Sequence, residues 1–287
     1  MTARAARGLD DDLEPLAAAL REAGADVSIP DWDDGGVDWS VFDRIVLRSP
    51  WDYPTRLAEF LAWAARAADG APLVNPLPVI RWNTDKHYLA DLALAGVPAV
   101  PSAFIEVGGV AASGLDAFLA ADATAEFVVK PSVGAGSRGA QRYGREDRAV
   151  AIAHAERLLA EKRSVLLQPY LDRVDAVGET ALLFFGGTFS HAIRKAPLLR
   201  RGEEPTRALF AAEHITPRVP DAEERRVAER AVAAIPFGVP AYARVDLIRD
   251  VDGHPCVLEL ELTEPSLFFR HGPGSAARFA EVIIAGV

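Results

Sequence analysis

The sequence predicts an α/β fold in three lobes: an N-terminal α/β lobe over residues 1–76, a central lobe over 77–171 with a lid at about 126–171, and a C-terminal antiparallel-sheet lobe over 172–287. Three observations carry this prediction. Strand-like and helix-like patterns alternate from residue 9 to residue 68, which implies a small, mainly parallel sheet. A glycine-rich stretch from Gly134 to Gly139 lies between two strand patterns. Further on, Asp252-Gly253 joins two apolar-rich runs, the short-loop signature of a β-hairpin.

Composition bounds the function. With 287 residues, half of them apolar, the chain can bury a sizeable core. A net charge of −10 argues against nucleic acid as the main partner, because phosphate binding needs a basic face. The single cysteine, Cys256, leaves no intrachain disulfide and reads as packing. No apolar segment follows the basic opening, and no run approaches the roughly 18 apolar residues that span a membrane. A cytoplasmic protein with a small-molecule substrate and no nucleic-acid or membrane partner is expected. The oligomeric state stays open, a homodimer included. Lysine occurs only at 86, 130, 162 and 195 in a chain rich in arginine, which suggests positions that need a compact ammonium.

Residues 9–23 read as a helix, with Asp10, Asp11 and Asp12 favourable to its dipole and Leu13, Leu16 and Leu20 as its apolar stripe. Residues 25–29 and 42–47 read as strands, and 55–68 as a helix. Almost nothing precedes the first helix, so the first strand of this lobe is very short or missing. The loop Arg48-Ser49-Pro50-Trp51-Asp52-Tyr53 leaves a strand at its C-terminal end, where open α/β sheets bind ligands. Its mix of Arg48, Trp51, Asp52 and Tyr53 could select a polar small molecule. An ordinary capped loop with a packed Trp is the alternative.

Asn75-Pro76 and Pro78 read as a linker, and Thr84 as the N-cap of a helix with Lys86 in its first turn. A cation there opposes the helix dipole unless a phosphate binds; a solvated lysine is the other reading. Residues 99–106 and 126–130 read as strands. Gly134, Gly136 and Gly139 match G-x-G-x-x-G, but the chain returns as a strand over 140–143 rather than opening a helix, and no G-K-[ST] follows. The stretch is therefore neither a dinucleotide motif nor a P-loop. A glycine flap with exposed N–H groups and Ser137 suits a triphosphate, and its closure would exclude water.

Residues 148–160 read as a helix and 165–168 as a strand running into a hinge, Gln168-Pro169-Tyr170-Leu171, that can hold a flat heterocycle. A second hairpin, 181–185 and 188–194 around Gly186-Gly187, ends in Arg194-Lys195, cations placed either to meet phosphate or at a solvated strand end. A charged loop over 200–207 and helices over 221–234 and 276–285 complete the reading. In the hairpin centred on Asp252-Gly253, Asp246 faces Glu259 and Arg244 faces Glu261, while Leu258, Leu260 and Leu262 share the other face. Opposed carboxylates repel, and burial raises the cost unless a cation sits between them. An oxygen-only set of this kind suits Mg²⁺.

Lys86, Val128-Val129-Lys130-Pro131 with the glycine flap, Gln168-Pro169-Tyr170-Leu171, and Arg244-Val245-Asp246 with Glu259 and Glu261 resemble, in that order, the motifs of the ATP-grasp superfamily. The resemblance spans about residues 75–269 and implies the ATP-grasp fold, with an α/β lobe before it. By similarity to D-alanine–D-alanine ligase and glutathione synthetase, Lys86 and Lys130 would contact ATP phosphates under a flap formed by Ser132, Gly134, Gly136 and Ser137. Gln168, Pro169, Tyr170 and Leu171 would hold adenine, and Glu179 or Asp175 the ribose. Lys195, beside Arg194, would reach the γ-phosphate. Asp246, Glu259 and Glu261 would hold two Mg²⁺, with Glu261 standing where those relatives often have Asn. Arg244 would steady an acylphosphate.

The loop at 51–53, the strand at 190–195 and Glu264-Pro265-Ser266-Leu267-Phe268 resemble the group containing the O-ureido-D-serine cyclo-ligase that forms D-cycloserine, which adds Ser266 to the candidate substrate contacts. The resemblance implies an ATP- and Mg²⁺-dependent ligase that activates a carboxylate as an acylphosphate for capture by nitrogen. A small-molecule kinase on this fold would instead leave a stable phosphate ester, and a regulatory nucleotide binder would show no turnover.

Overall fold

The computed structural model describes residues 1–203, 206, 208–209 and 214–286. In chain order the main elements are α1 (Leu13–Glu22), β1 (Ile45–Val46), α2 (Leu57–Gly70), β2 (Leu73–Val74), α3 (Leu77–Asn83), α4 (Tyr88–Leu94), β3 (Ala103–Ile105) and α5 (Ala111–Ala121). They continue with β4 (Glu126–Pro131), β5 (Gln141–Gly144), α6 (Arg148–Ala160), β6 (Val165–Pro169), α7 (Arg173–Val177), β7 (Glu179–Phe185), β8 (Thr188–Lys195) and β9 (Ile215–Pro217). The last four are α8 (Ala222–Ala233), β10 (Tyr242–Arg249), β11 (Pro255–Glu261) and α9 (Ser275–Ala285).

The N-terminal region packs parallel β1 and β2 against α2 around an aromatic core of Trp32, Tyr53, Phe60 and Trp63. No ladder forms over 25–29. The chain there is extended, and Thr2 instead bridges Asp31 and Ser49 in parallel, so a single bridged residue takes the place expected of a first strand. The expected N-cap at Thr84 is corrected. Pro76 and Pro78 start α3 early, Thr84 ends it, and Lys86 lies in the turn before α4. The sequence reading had no element where α5 lies. The charged loop at 200–207 falls partly outside the described residues.

The middle sheet has the order β3-β6-β4-β5, with α5 and α6 packed on it. The last sheet runs β11-β10-β7-β8-β9, all antiparallel. One of its faces is mostly apolar: Val245, Leu247, Val257, Leu260 and Leu262 pack against α4 and α8. The opposite face is apolar only at its ends. Tyr242 packs on Phe279 of α9, and Ile248 joins Val128, Tyr170 and Val174. Between them, Arg244 and Asp246 face a cleft.

Strand β11 is an edge, yet its outer groups are not left open. The Asn83 amide donates to Leu260 O at 2.7 Å and accepts from Leu262 N at 2.7 Å. The Tyr88 hydroxyl accepts from Leu260 N at 3.0 Å, and Asn75 donates to Leu262 O at 2.8 Å. Buried side chains thus replace a neighbouring strand and satisfy the main chain.

Candidate active site

The register of the β10–β11 hairpin builds the centre of the site. Asp246 opposes Glu259 and Arg244 opposes Glu261, as the sequence pattern predicts. One part of that pattern is corrected. A bulge after Asp246 inserts Leu258 as an extra residue, so Leu258 turns to the cleft and Val257, not Leu258, joins Leu260 and Leu262 in the core. A bulge has this effect because it shifts the two-residue alternation by one.

Cations surround the three acids. The Arg244 guanidinium grips Asp246 through two bonds, Nε–Oδ1 at 2.8 Å and Nη2–Oδ2 at 3.0 Å, and also binds Glu261. Lys195 Nζ lies 2.9 Å from Asp246 and 3.1 Å from Glu179, its cross-strand partner. Lys86 Nζ lies 3.0 Å from Glu259 and donates to Gly134 O at 2.7 Å, which ties the flap to the centre.

Electrostatics divide the acids. Burial acts to raise Asp246, but Arg244 and Lys195 outweigh it and hold the carboxyl low, at about 2. Glu259 is likewise lowered against burial by Lys86 and Lys130. Glu261 goes the other way: burial, with Glu259 and Asp246 nearby, pushes it up to about 8 despite Arg244. Burial also lifts Glu264 to about 7. Lys130 is lowered to about 8, first by burial and then by Lys86 and Lys195, with Glu259 and Glu179 opposing.

Two adjoining cavities meet over this centre. A narrow one of about 120 Å³ runs between the middle and last sheets. It is lined by Lys86, Lys130, the flap, Gln168 to Leu171 and Glu179, with Val128, Ile248 and Leu258 as its apolar walls. A wider one of about 460 Å³ opens beside it, with Arg244, Glu261, Glu264, Trp51 and Ser266 in its lining. Lys195, Glu259, Gly136 and Ser137 line both. The flap turns on left-handed residues, Gly136 at φ 61° and Ser137 at φ 60°.

Some sequence candidates lie elsewhere. Arg194 sits on the other face of β8 from Lys195 and donates to Val177 O at 2.6 Å. Ser132 is buried behind the flap, where its carbonyl accepts from Lys86 N. Asp175 is held by Tyr170 and Arg142. Arg48 is 1% exposed and donates to Pro265 O at 3.1 Å, and Asp52 accepts from Trp32 and pairs with Arg56. Neither Arg48 nor Asp52 lines either of these two cavities, so these two support the site from behind.

The sequence reading missed Asp12 and Glu264 as parts of the site. Asp12 accepts from the main-chain N–H groups of Leu267, Phe268 and Phe269 at 2.7, 2.9 and 2.8 Å, fixing the turn in which Phe268 is left-handed. The run Glu264-Pro265-Ser266 was a signal for this wall, but only packing shows what it faces.

The three carboxylates form an oxygen-only set on adjacent strands beside both cavities, a chemistry that fits a hard divalent cation. As arranged, each turns to a lysine or arginine, and among the described residues no cluster of metal-ligating side chains converges on one point.

Comparison with known proteins agrees with this geometry. Residues 1–75 match the family described as D-cycloserine synthetase DcsG, N-terminal domain. The cycloserine biosynthesis protein DcsG of Streptomyces lavendulae is 43% identical over 281 residues, covering 96% of this chain and 93% of that protein. The crystal structure of D-cycloserine synthetase DcsG superposes with a TM-score of 0.92 at 42% identity, over 99% of this chain and 97% of that one. A RimK-domain ATP-grasp protein from Sphaerobacter thermophilus shares the fold at TM-score 0.67 and 18% identity, over 96% of each chain. The fold is the ATP-grasp fold.

Proposed function

The chain belongs to the D-cycloserine synthetase family, and on that premise we propose that it closes O-ureido-D-serine to D-cycloserine at the expense of ATP. The observation that carries this reading is the shared floor of the two cavities, where Lys195 and Glu259 line both. A phosphoryl group held there can pass from a nucleotide in the narrow cavity to a carboxylate in the wide one.

Gln168 to Leu171 hold the adenine between aliphatic walls. Glu179 takes the ribose, since it lines the cleft while Asp175 is committed to Tyr170 and Arg142. Lys86, Lys130 and the flap amides hold the phosphates, and Lys195 holds the group in transfer. Asp246, Glu259 and Glu261, which face one another across the β10–β11 hairpin, would hold Mg²⁺. When bound, the metal neutralises phosphate charge during transfer. Arg244 then turns from the carboxylates to the acylphosphate and its tetrahedral successor, which it stabilises as negative charge develops. Nitrogen attack forms the C–N bond, breaks the acyl C–O bond and expels phosphate. D-Cycloserine lacks the carbamoyl group, so after ring closure a water molecule cleaves the bond from the same nitrogen to the carbamoyl carbon. That group departs as carbamate, which breaks down to CO2 and ammonia. The closed flap keeps water from the acylphosphate.

We place the reaction in the cytoplasm; among the described residues no helix is long and apolar enough to cross a membrane. The test is release of ADP and free phosphate from Mg²⁺-ATP and O-ureido-D-serine, with product masses recorded. One phosphate per ADP and a product of cycloserine mass are expected. ADP with a stable phosphate ester and no free phosphate would instead mean a kinase.

A further inference from the structure

We propose that Glu264 receives the α-ammonium group of the substrate and so sets the selectivity of the wide cavity for amino acids. The inference rests on the reading that this cavity holds an amino-acid carboxylate. Glu264 lines the cavity together with Arg244 and Glu261, yet the residue is only 7% exposed. The acidic groups beside it are already engaged. Glu261 pairs with Arg244, Glu259 with Lys86, and Asp12 with three main-chain N–H groups. Glu264 shares a hydrogen bond with Tyr53 and feels Lys86 and Arg244 at longer range. Both of these are paired with other acids and, among the described residues, no cation is paired with Glu264 itself. A buried carboxylate without a cation in contact is costly, and a ligand that brings one relieves the cost.

The residue is also held in place. Trp51 Nε1 donates to Glu264 O at 3.0 Å and Arg48 Nη1 to Pro265 O at 3.1 Å. Both main-chain anchors come from the loop after β1, so the carboxylate is fixed before substrate arrives, and little ordering is left to binding. Its position suits an ammonium in particular. In an α-amino acid the ammonium is one carbon from the reacting carboxyl, so its acceptor must stand beside the group that holds the acylphosphate. Glu264 and Arg244 share that wall.

The test compares O-ureido-D-serine with its deamino analogue, 3-(ureidooxy)propanoate, by ADP and phosphate release in the wild type, Glu264→Gln and Glu264→Asp. The wild type should prefer the amino acid by about 100-fold or more in kcat/KM. Glu264→Gln should bring that preference to within several-fold, with most of the loss in KM for the amino acid and little change for the analogue. Glu264→Asp, which keeps the charge, should recover part of it and serves also if the Gln variant is unstable. Equal loss on both substrates, or an undiminished preference in both variants, overturns the assignment. A wild type silent on O-ureido-D-serine overturns the cyclo-ligase reading first, and this inference with it.

Discussion

The two cavities that share Lys195 and Glu259 are built on opposite plans. The narrow one is walled by aliphatic side chains and by the main chain of a strand end, Gln168 to Leu171, with its charged groups gathered where ribose and phosphates would lie. The wide one carries more charged side chains, among them Asp11, Arg244, Glu261, Glu264 and Arg270, and its lining is drawn from the turn before α1, the loop after β1, the β10–β11 hairpin and the turn before α9. Main-chain groups can read the edge of a ring that never changes, whatever residue stands there. Recognition of a particular substrate needs individual side chains, and these must be held from several directions.

That contrast can be broken most strongly at the shared floor. Asp246→Asn should lower kcat by about 1,000-fold or more, because Arg244 and Lys195 lose their common anion and the cation set its anchor. Near-normal turnover at saturating Mg²⁺ would remove the metal assignment. Lys195→Ala should reduce kcat by roughly 100-fold while ATP affinity, followed by calorimetry, changes only several-fold. A loss of affinity with kcat intact would assign Lys195 to the narrow cavity alone.

Smaller effects test the supports. Asn83→Ala leaves Leu260 O and Leu262 N without their partner, and should cost about 2–4 kcal/mol in denaturant unfolding. It should also raise the Mg²⁺ concentration needed for half-maximal rate, since β11 carries Glu259 and Glu261. An unchanged unfolding midpoint would show that water replaces the amide.

The smallest effect concerns the lid sheet. His154 on α6 is buried behind it, bonded to the Tyr143 hydroxyl at 3.0 Å, and burial lowers its pKa from 6.5 to about 4. Its contribution to stability is therefore full above pH 6.5 and is lost as pH falls from 6.5 towards 4, by roughly 1–3 kcal/mol. Thermal melts between pH 7 and 4.5 should show a shallower fall in His154→Gln than in the wild type. Parallel curves would mean that other groups dominate.

Much of the fold was legible where the signal is local. The β10–β11 hairpin, the β7–β8 hairpin, the glycine flap and α6 follow from alternation and turn chemistry alone. The misreadings have physical causes. Leu258 left the expected face because a bulge leaves no mark in an apolar run. Thr84 has the chemistry of an N-cap, but two prolines upstream began a separate helix. Arg194 and Lys195 look equivalent in sequence, and a strand sends neighbours to opposite faces. Arg48 and Asp52 look like ligand contacts, yet each is spent on neighbouring elements.

What the sequence indicated by itself was a hairpin with Asp246, Glu259, Arg244 and Glu261 on one face, because strand period and turn chemistry are short-range properties. Beside the turn Arg249 pairs with Pro255, one step from the register that Asp252-Gly253 predicts, and the bulge at Leu258 restores the pairing of Asp246 with Glu259. What only the tertiary structure decided was the company those groups keep. Trp51 reaches Glu264 across 213 positions of chain, and Arg48 reaches Pro265 across 217. Contacts at that separation depend on how whole elements pack, and no local pattern encodes them.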